Sequence, residues 1–254
     1  MDKLDKEIYD NYISVHRNFE RKKKKNKIIS FYDKFVFHKY FNNKSDISVL
    51  DLGSGMGEFS KVCQYYEIKE YLGVDISNEQ IDHCQSLYPS YPFIKAEALE
   101  FLKQNNSKYN FIYSGHIFEH FNLTEQKKFI NLIMKSLKPD GIWINIMINS
   151  SAYFNDGGCW GDITHKFVHN AVSFNQLLRN CGVDQINIVH SNSPVGNNIF
   201  QHFIHKIFIF FFHIVVRLAG YNQQEIYSLH IITRIQNKNS NGQLIYHKIK
   251  PDIK

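Results

Sequence analysis

The stretch Val49-Leu50-Asp51-Leu52-Gly53-Ser54-Gly55-Met56-Gly57-Glu58-Phe59-Ser60 decides the fold. Its apolar start reads as a buried strand, Asp51 lies near the strand's end, and a helical run opens at Glu58. A strand that breaks into a glycine turn and reopens as a helix is the nucleotide-cradling unit of doubly wound α/β domains. Glycine is needed because the turn demands positive φ and the backbone must approach a ligand with no Cβ in the way. A dinucleotide fingerprint requires a further glycine at position 58, where this chain has Glu58, and sets a pyrophosphate on the helix N-terminus. Asp-x-Gly-x-Gly-x-Gly, with a carboxylate closing the strand, suits a cationic, phosphate-free ligand instead.

Downstream, strand and helix patterns alternate. The pattern predicts helices near 57–66, 78–87, 97–104 and 124–137, with Thr124 as an N-cap, and strands at 71–75, ending at Ile94, at 109–114 and at 142–148. A helix over 173–180 and strands over 183–189 and 227–235 complete it. Such alternation means a Rossmann-like, doubly wound, mostly parallel seven-stranded sheet with helices on both faces and ligand sites at the carboxyl ends of the strands. The expected organisation is a basic helical N-terminal cap over 1–44, an α/β domain over 45–235 and a polar tail over 236–254. Within the domain, 150–170 forms a loop over the cleft and 194–222 a helical insertion.

An apolar content of 43% and an aromatic content of 15% in 254 residues fit one folded domain. Cys63, Cys84, Cys159 and Cys181 are scattered, with no C-x-x-C pair, which fits a reducing compartment. The charged opening MDKLDKEIYD carries no secretory pattern, so a cytoplasmic protein is expected. Residues 1–44 hold 12 Lys/Arg and 6 Asp/Glu, an excess equal to the whole net charge of +6. Most of it is the run Arg21–Lys25 with Lys27, either a solvated face or an attractor for something anionic. The most apolar segment, 199–219, reads as an amphipathic helix with His202, Lys206, His213 and Arg217 on one narrow stripe. It packs on the domain, forms a homodimer, or lies on a membrane surface as a peripheral contact.

Asp75 closes the second strand, 24 positions after Asp51, where a carboxylate accepts hydrogen bonds from ribose hydroxyls. With the glycine loop, this resembles the class I S-adenosylmethionine-dependent methyltransferases over about residues 45–190, including Leu137-Lys138-Pro139-Asp140-Gly141 before the fifth strand. The resemblance implies S-adenosyl-L-methionine as cofactor. Asp51, Gly53, Ser54, Gly55 and Gly57 would face its methionine part, Asp75 and Ile76 the ribose, and Glu97-Ala98 the adenine, with Ser114 beside the sulfonium. Residues 8–16 resemble the N-terminal cap of polysaccharide-associated methyltransferases, which implies that Tyr12 closes over the cofactor.

The fourth strand runs into Tyr113-Ser114-Gly115-His116-Ile117-Phe118-Glu119-His120-Phe121. It lacks both the Pro-Pro-aromatic sequence of base-amine methyltransferases and a Pro-Cys nucleophile. A His-rich strand end suits deprotonation of a hydroxyl, with His116 as general base. His165 is the second catalytic candidate, with Asp162 three residues before it to orient the ring. Trp160-Gly161-Asp162-Ile163-Thr164-His165 resembles an element of enzymes of surface-polysaccharide (capsule or lipopolysaccharide) biosynthesis. His116, Glu119, Asp162 and His165 show no tight ligand spacing, so no metal is expected. The expected reaction is O-methylation of a small anionic acceptor, a nucleotide-linked sugar or a phosphate-type capsule decoration, with no nucleic-acid partner. The rival readings are an RNA methyltransferase using the lysine run and a non-catalytic, membrane-associated scaffold.

Overall fold

Strand β1 (Ser48–Leu52) is buried at all five positions, as a central parallel strand must be. Its side chains alternate between faces. Leu50 and Leu52 join one apolar cluster and Val49 the other. The computed structural model describes residues 9, 31–152, 155–184, 187–192, 199–218 and 230–237. Around β1 stand β2 (Glu70–Asp75), β3 (Phe93–Lys95), β4 (Tyr109–Gly115), β5 (Leu137–Ile148), β6 (Ile188–Asn192) and β7 (His230–Gln236). They form one seven-stranded sheet in the order β3-β2-β1-β4-β5-β7-β6. All pairs are parallel except those of β7 with β5 and β6. The chain steps outward from β1 to β2 and β3, then returns to place β4 on the other side of β1. This reversal opens the crevice in which such sheets bind ligands.

On one face, α5 (Leu123–Ser136) and α7 (Ala171–Asn180) bring Phe129, Ile133 and Phe174 against Leu50, Ile112 and Trp143. On the other, α1 (Phe31–Phe41) and α2 (Glu58–Tyr65) bring Phe37, Phe41 and Phe59 against Val49, Phe111 and Ile144. Phe41 lies 4.7 Å from Phe111, and Phe59 stacks on Tyr113 at 4.1 Å, ring centre to ring centre. Each fully buried Phe removes enough apolar surface from water to contribute about 1.5–3 kcal/mol. Helices α3 (Asn78–Leu87), α4 (Ala98–Lys103) and the short α6 (Asp156–Trp160) complete the layers, and α8 (Ile199–Leu218) stands between β6 and β7 in the chain.

Several boundaries differ from the sequence expectation. Helix α5 is capped by Asn122, not Thr124: Asn122 Oδ1 accepts from the Glu125 amide, and the Glu125 carboxylate accepts from the Asn122 amide. This reciprocal box satisfies two donors that a start at Thr124 leaves open. Strand β6 begins at Ile188, because Val183 is spent in the core after the left-handed Gly182 turn. The fifth strand runs through the Pro139-Asp140-Gly141 segment, with a register shift against β4 between Tyr109 and Phe111. Tyr12, His16 and the basic run at 21–27 lie outside the described residues, as does the tail beyond Asn237.

Candidate active site

At the carboxyl edge of β1, β2 and β4 lies a cavity of about 690 Å³. Its cofactor end is built by the loop after β1. Gly53, Gly55 and Gly57 all take positive φ (72°, 52° and 80°). At Gly57 the requirement is doubly strict, since a Cβ there would meet Tyr88 Cε2 at 2.7 Å and Cys84 Sγ at 3.2 Å. Asp75 fixes the loop from the neighbouring strand end. Its two carboxylate oxygens accept from the Gly55 and Ser77 amides, each at 2.9 Å. Burial raises its pKa, and the amides of Ser77, Gly55 and Ile76 pull against that rise. Asp75 thus holds the loop as well as lining the cavity, with Ile76 beside it in the wall.

Asp51 sits deeper, 1% exposed. Its Oδ2 accepts from Tyr71 Oη at 2.6 Å, and Tyr71 Oη in turn lies 2.7 Å from Ser60 Oγ. Burial pushes the Asp51 pKa up to about 7; the Tyr71 hydrogen bond opposes this, and the charges of Asp75 and Glu58 add to it. Asp51 Oδ1 and Ser54 Oγ are buried without a hydrogen-bond partner among the described residues. An orphaned carboxylate oxygen at the foot of a glycine cradle fits the ammonium of an amino-acid-bearing ligand. Both Asp51 and Ser54 line the cavity.

Of two other expected contact residues, Glu97 has a second task and Ser114 lies off the cavity. Glu97 lines the cavity, but its carboxylate caps α4, accepting from the amides of Leu99 and Glu100. Ala96, Ala98 and Leu99 give that part of the wall its apolar surface. Ser114 is fully buried with its hydroxyl in the sheet interior, donating to Asn145 Oδ1 and accepting from Trp143 Nε1, both at 2.8 Å. Side-chain alternation along β4 leaves Tyr113 and Gly115 on the cavity instead. Ser114 therefore supports the strand rather than the sulfonium.

At the acceptor end, His116 follows β4 with φ of 54°, a left-handed conformation uncommon in residues other than glycine. The twist brings His116 Nδ1 to 3.1 Å from Glu119 Oε1. Burial alone would raise the Glu119 carboxyl, but the hydrogen bond and charge of His116, with His120 behind them, hold it below the ordinary range. An ionised carboxylate only accepts, so His116 Nδ1 carries a hydrogen and Nε2 is the ring nitrogen left for proton exchange. The His230 ring meets His116 edge-on at 4.7 Å. Burial lowers the His230 pKa to about 4, the His116 charge adds to this, and Glu119 opposes it.

The loop after β5 supplies a second group. Thr164 Oγ donates to Asp162 Oδ1 at 2.5 Å and lies 2.8 Å from His120 Nδ1. With the hydroxyl hydrogen spent on Asp162, Thr164 Oγ accepts from His120 Nδ1–H, leaving Nε2 of His120 with the lone pair. The imidazole that Asp162 orients through Thr164 is thus His120, where the sequence had suggested His165. His165 Nδ1 lies 2.9 Å from the Cys159 carbonyl, which orients that ring, and the two imidazoles meet edge-on at 4.8 Å. The Glu119 carbonyl fastens the loop by accepting from the amides of Lys166 and Phe167. His116, Glu119, His120, Asp162 and His165 all line the one cavity. The tight metal-like set is His120, Asp162 and His165, not the four residues named from sequence, with ligand atoms within 4.8 Å of one another.

A family profile described as "Methyltransferase domain" matches residues 17–187. The chain belongs to that family. It is a methyltransferase, and its cofactor is S-adenosylmethionine. An S-adenosylmethionine-dependent methyltransferase from Archaeoglobus fulgidus has a similar structure, with a TM-score of 0.61 at 18% identity, covering 80% of this chain and 90% of that one. The YcgJ protein of Bacillus subtilis scores 0.52 at 15% identity, with 77% and 93% covered. Phosphoethanolamine N-methyltransferase 2 of Haemonchus contortus, solved with phosphomonomethylethanolamine and S-adenosylhomocysteine, scores 0.57 at 14% identity, with 84% and 55% covered. At these identities the likeness is one of fold. No curated protein matches the chain.

Tyr9, which lines the cavity and meets the His120 ring edge-on at 5.9 Å, was visible beforehand only as one aromatic among many. His230 carried no local signal, because only the antiparallel pairing of β7 with β5 brings it to the cavity side. The Asn122 cap, by contrast, was legible from the glutamate three residues on.

Proposed function

We propose that the protein methylates an oxygen of a small anionic acceptor, with His116 as general base. The observation that carries this reading is the pairing of His116 Nδ1 with the buried, ionised Glu119. It fixes the tautomer that leaves Nε2 able to take a proton, the arrangement expected for a hydroxyl acceptor. Bound S-adenosylmethionine supplies an electrophilic methyl group. With that group bound in the cradle of Asp51 and the glycine loop, His116 Nε2 would take the proton that the acceptor hydroxyl gives up on methylation. Glu119 stabilises the imidazolium so formed. A base of this kind contributes roughly 10²–10⁴-fold, and holding oxygen, carbon and sulfur in line supplies most of the rest. His165 and the His120–Thr164–Asp162 relay hold the acceptor and close the loop over it.

The anionic character of the acceptor is supported by the positive excess in residues 1–44 and by the exposed Lys128 and Lys166 in the cavity wall. The fold accommodates a phosphorylated acceptor in the Haemonchus contortus relative. The resemblance of Trp160–His165 to polysaccharide-associated enzymes supports a surface-glycan precursor, either a nucleotide-linked sugar or a phosphate-type decoration. The test is incubation with methyl-¹³C-labelled cofactor and a panel of sugar nucleotides and sugar phosphates, read by carbon NMR. An O-methyl signal that His116→Asn abolishes, with S-adenosylhomocysteine affinity kept, is expected; asparagine is chosen because it tolerates the left-handed backbone. An N-methyl product, or full turnover in His116→Asn, would sink the reading.

A further inference from the structure

Helix α8 turns its apolar side outward. Ten large apolar residues between Phe200 and Leu218 are exposed, Phe208 at 62% and Leu218 at 83%. At about 100° per residue they fill a continuous arc of about 160°, with Phe200, Ile207, Phe211 and Leu218 near its middle. The half-buried Ile209 and Phe212 lie on the other side. A helix docked on a soluble core shows the reverse arrangement. Monomeric proteins rarely leave an apolar patch of this extent uncovered.

We propose that α8 is a monolayer anchor, which lays the protein on an anionic phospholipid surface with its apolar arc in the headgroup–acyl boundary. Charge selects this occupant. From Ile199 to Leu218 there is no Asp or Glu, and the exposed Lys206 and Arg217 fall together along one border of the arc. That is where cations reach lipid phosphates while the aromatic residues beside them enter the boundary. No helix among the described residues is long and apolar enough to cross a membrane, so the helix lies on the surface. A second copy of the chain suits the arc less well. A two-fold antiparallel pair aligns like borders, which sets Lys206 and Arg217 along one seam with their own copies. A parallel pair offers no carboxylate to either cation.

Topology ties this anchor to the reaction centre. β6 and β7 are antiparallel, with Asn192 opposite Ile231, and His230 lies opposite Ile148 at the carboxyl end of β5. The insertion that carries α8 therefore leaves and re-enters the sheet at the edge where the cavity opens. His230, its point of return, touches His116. A protein held by α8 keeps its acceptor end near the lipid surface.

The full chain should float with vesicles rich in phosphatidylglycerol and stay behind with pure phosphatidylcholine. Ile207→Glu with Phe211→Glu should abolish flotation, and Lys206→Gln with Arg217→Gln should weaken partitioning about thirtyfold at low salt. Circular dichroism melts that match the parent chain exclude unfolding as the cause of either loss. Equal flotation on neutral vesicles, flotation unchanged by the Glu pair, or no flotation together with a dimer in sedimentation equilibrium that the Glu pair splits would each overturn the proposal.

Discussion

Asp51 is a carboxyl whose protonation is set by burial, so cofactor binding should be linked to pH through this one residue. In the free protein its pKa is pushed up to about 7. A ligand ammonium beside the orphaned Oδ1 favours the charged form, so binding expels a proton wherever the free protein still holds one. For a single group titrating near 7, the apparent affinity for S-adenosylhomocysteine should tighten about tenfold between about pH 6 and about pH 8. Asp51→Asn keeps an oxygen to accept from Tyr71 but removes the titration. The variant should bind with no pH slope from this site and lose about 1.5–3 kcal/mol at the upper end of the range, the worth of a hydrogen bond to a charged group.

The free protein should respond in the opposite sense. Its Asp51 pKa lies above the unfolded value of about 3.9, so the native state holds the extra proton, and stability falls as pH rises between the two values. The full linkage is about 4 kcal/mol, and Asp51→Asn should recover much of it in the free protein near pH 8. Calorimetric titration in two buffers of different ionisation enthalpy counts the proton released, and denaturant melts across pH give the stability. A parent protein whose affinity is flat across this range, or an Asp51→Asn variant that keeps the parent's slope, would refute the linkage and the placing of the ammonium with it.

Two further outcomes test the cradle and the base. Gly57→Ala forces a left-handed alanine against Tyr88 and Cys84. It should cost about 1–2 kcal/mol in melts and weaken S-adenosylhomocysteine binding; unchanged values would show that the loop relaxes freely. Glu119→Gln keeps the shape but not the charge behind His116, so turnover should fall at least tenfold with cofactor affinity intact. Because the folded Glu119 pKa is depressed, its contribution to stability is present above the ordinary Glu value of about 4.3 and is lost as pH falls below it. The Gln variant should lack that acid-side loss, and a variant that retains it while turning over normally would remove Glu119 from the mechanism.

What the sequence disclosed was mostly local. The glycine loop, the alternating strands and the carboxylates that close β1 and β2 are set by neighbours a few residues apart, where φ preferences and apolar periodicity act directly. The His116–Glu119 pair was within reach for the same reason, since three residues separate its members. The His120–Thr164 contact joins residues 44 apart, and it exists only because the Glu119 carbonyl and the Gln126 amide fasten the loop after β5 to the turn after β4. No spacing rule sees such a closure. Helix α8 marks a different limit: its periodicity was plain, but periodicity gives the width of an apolar face and not the direction in which it points.

The backbone of His116 joins these two kinds of information. A non-glycine residue at φ of 54° costs about 1–2 kcal/mol relative to ordinary helical backbone. Glycine would meet that demand at lower cost. The amide of His116 is held by the Ile146 carbonyl at 2.8 Å, so the turn is fixed by β5 and not by the histidine itself. The side chain gives the strand no apolar burial to offset the strain, being about half exposed toward the cavity. What it does gain is one carboxylate contact with Glu119 and one ring edge against His230, both oriented by the same twist. Strain kept where packing does not require it is a feature of working sites. Here the strained turn presents the His116 ring to the cavity with Glu119 behind it, as a base acting there requires.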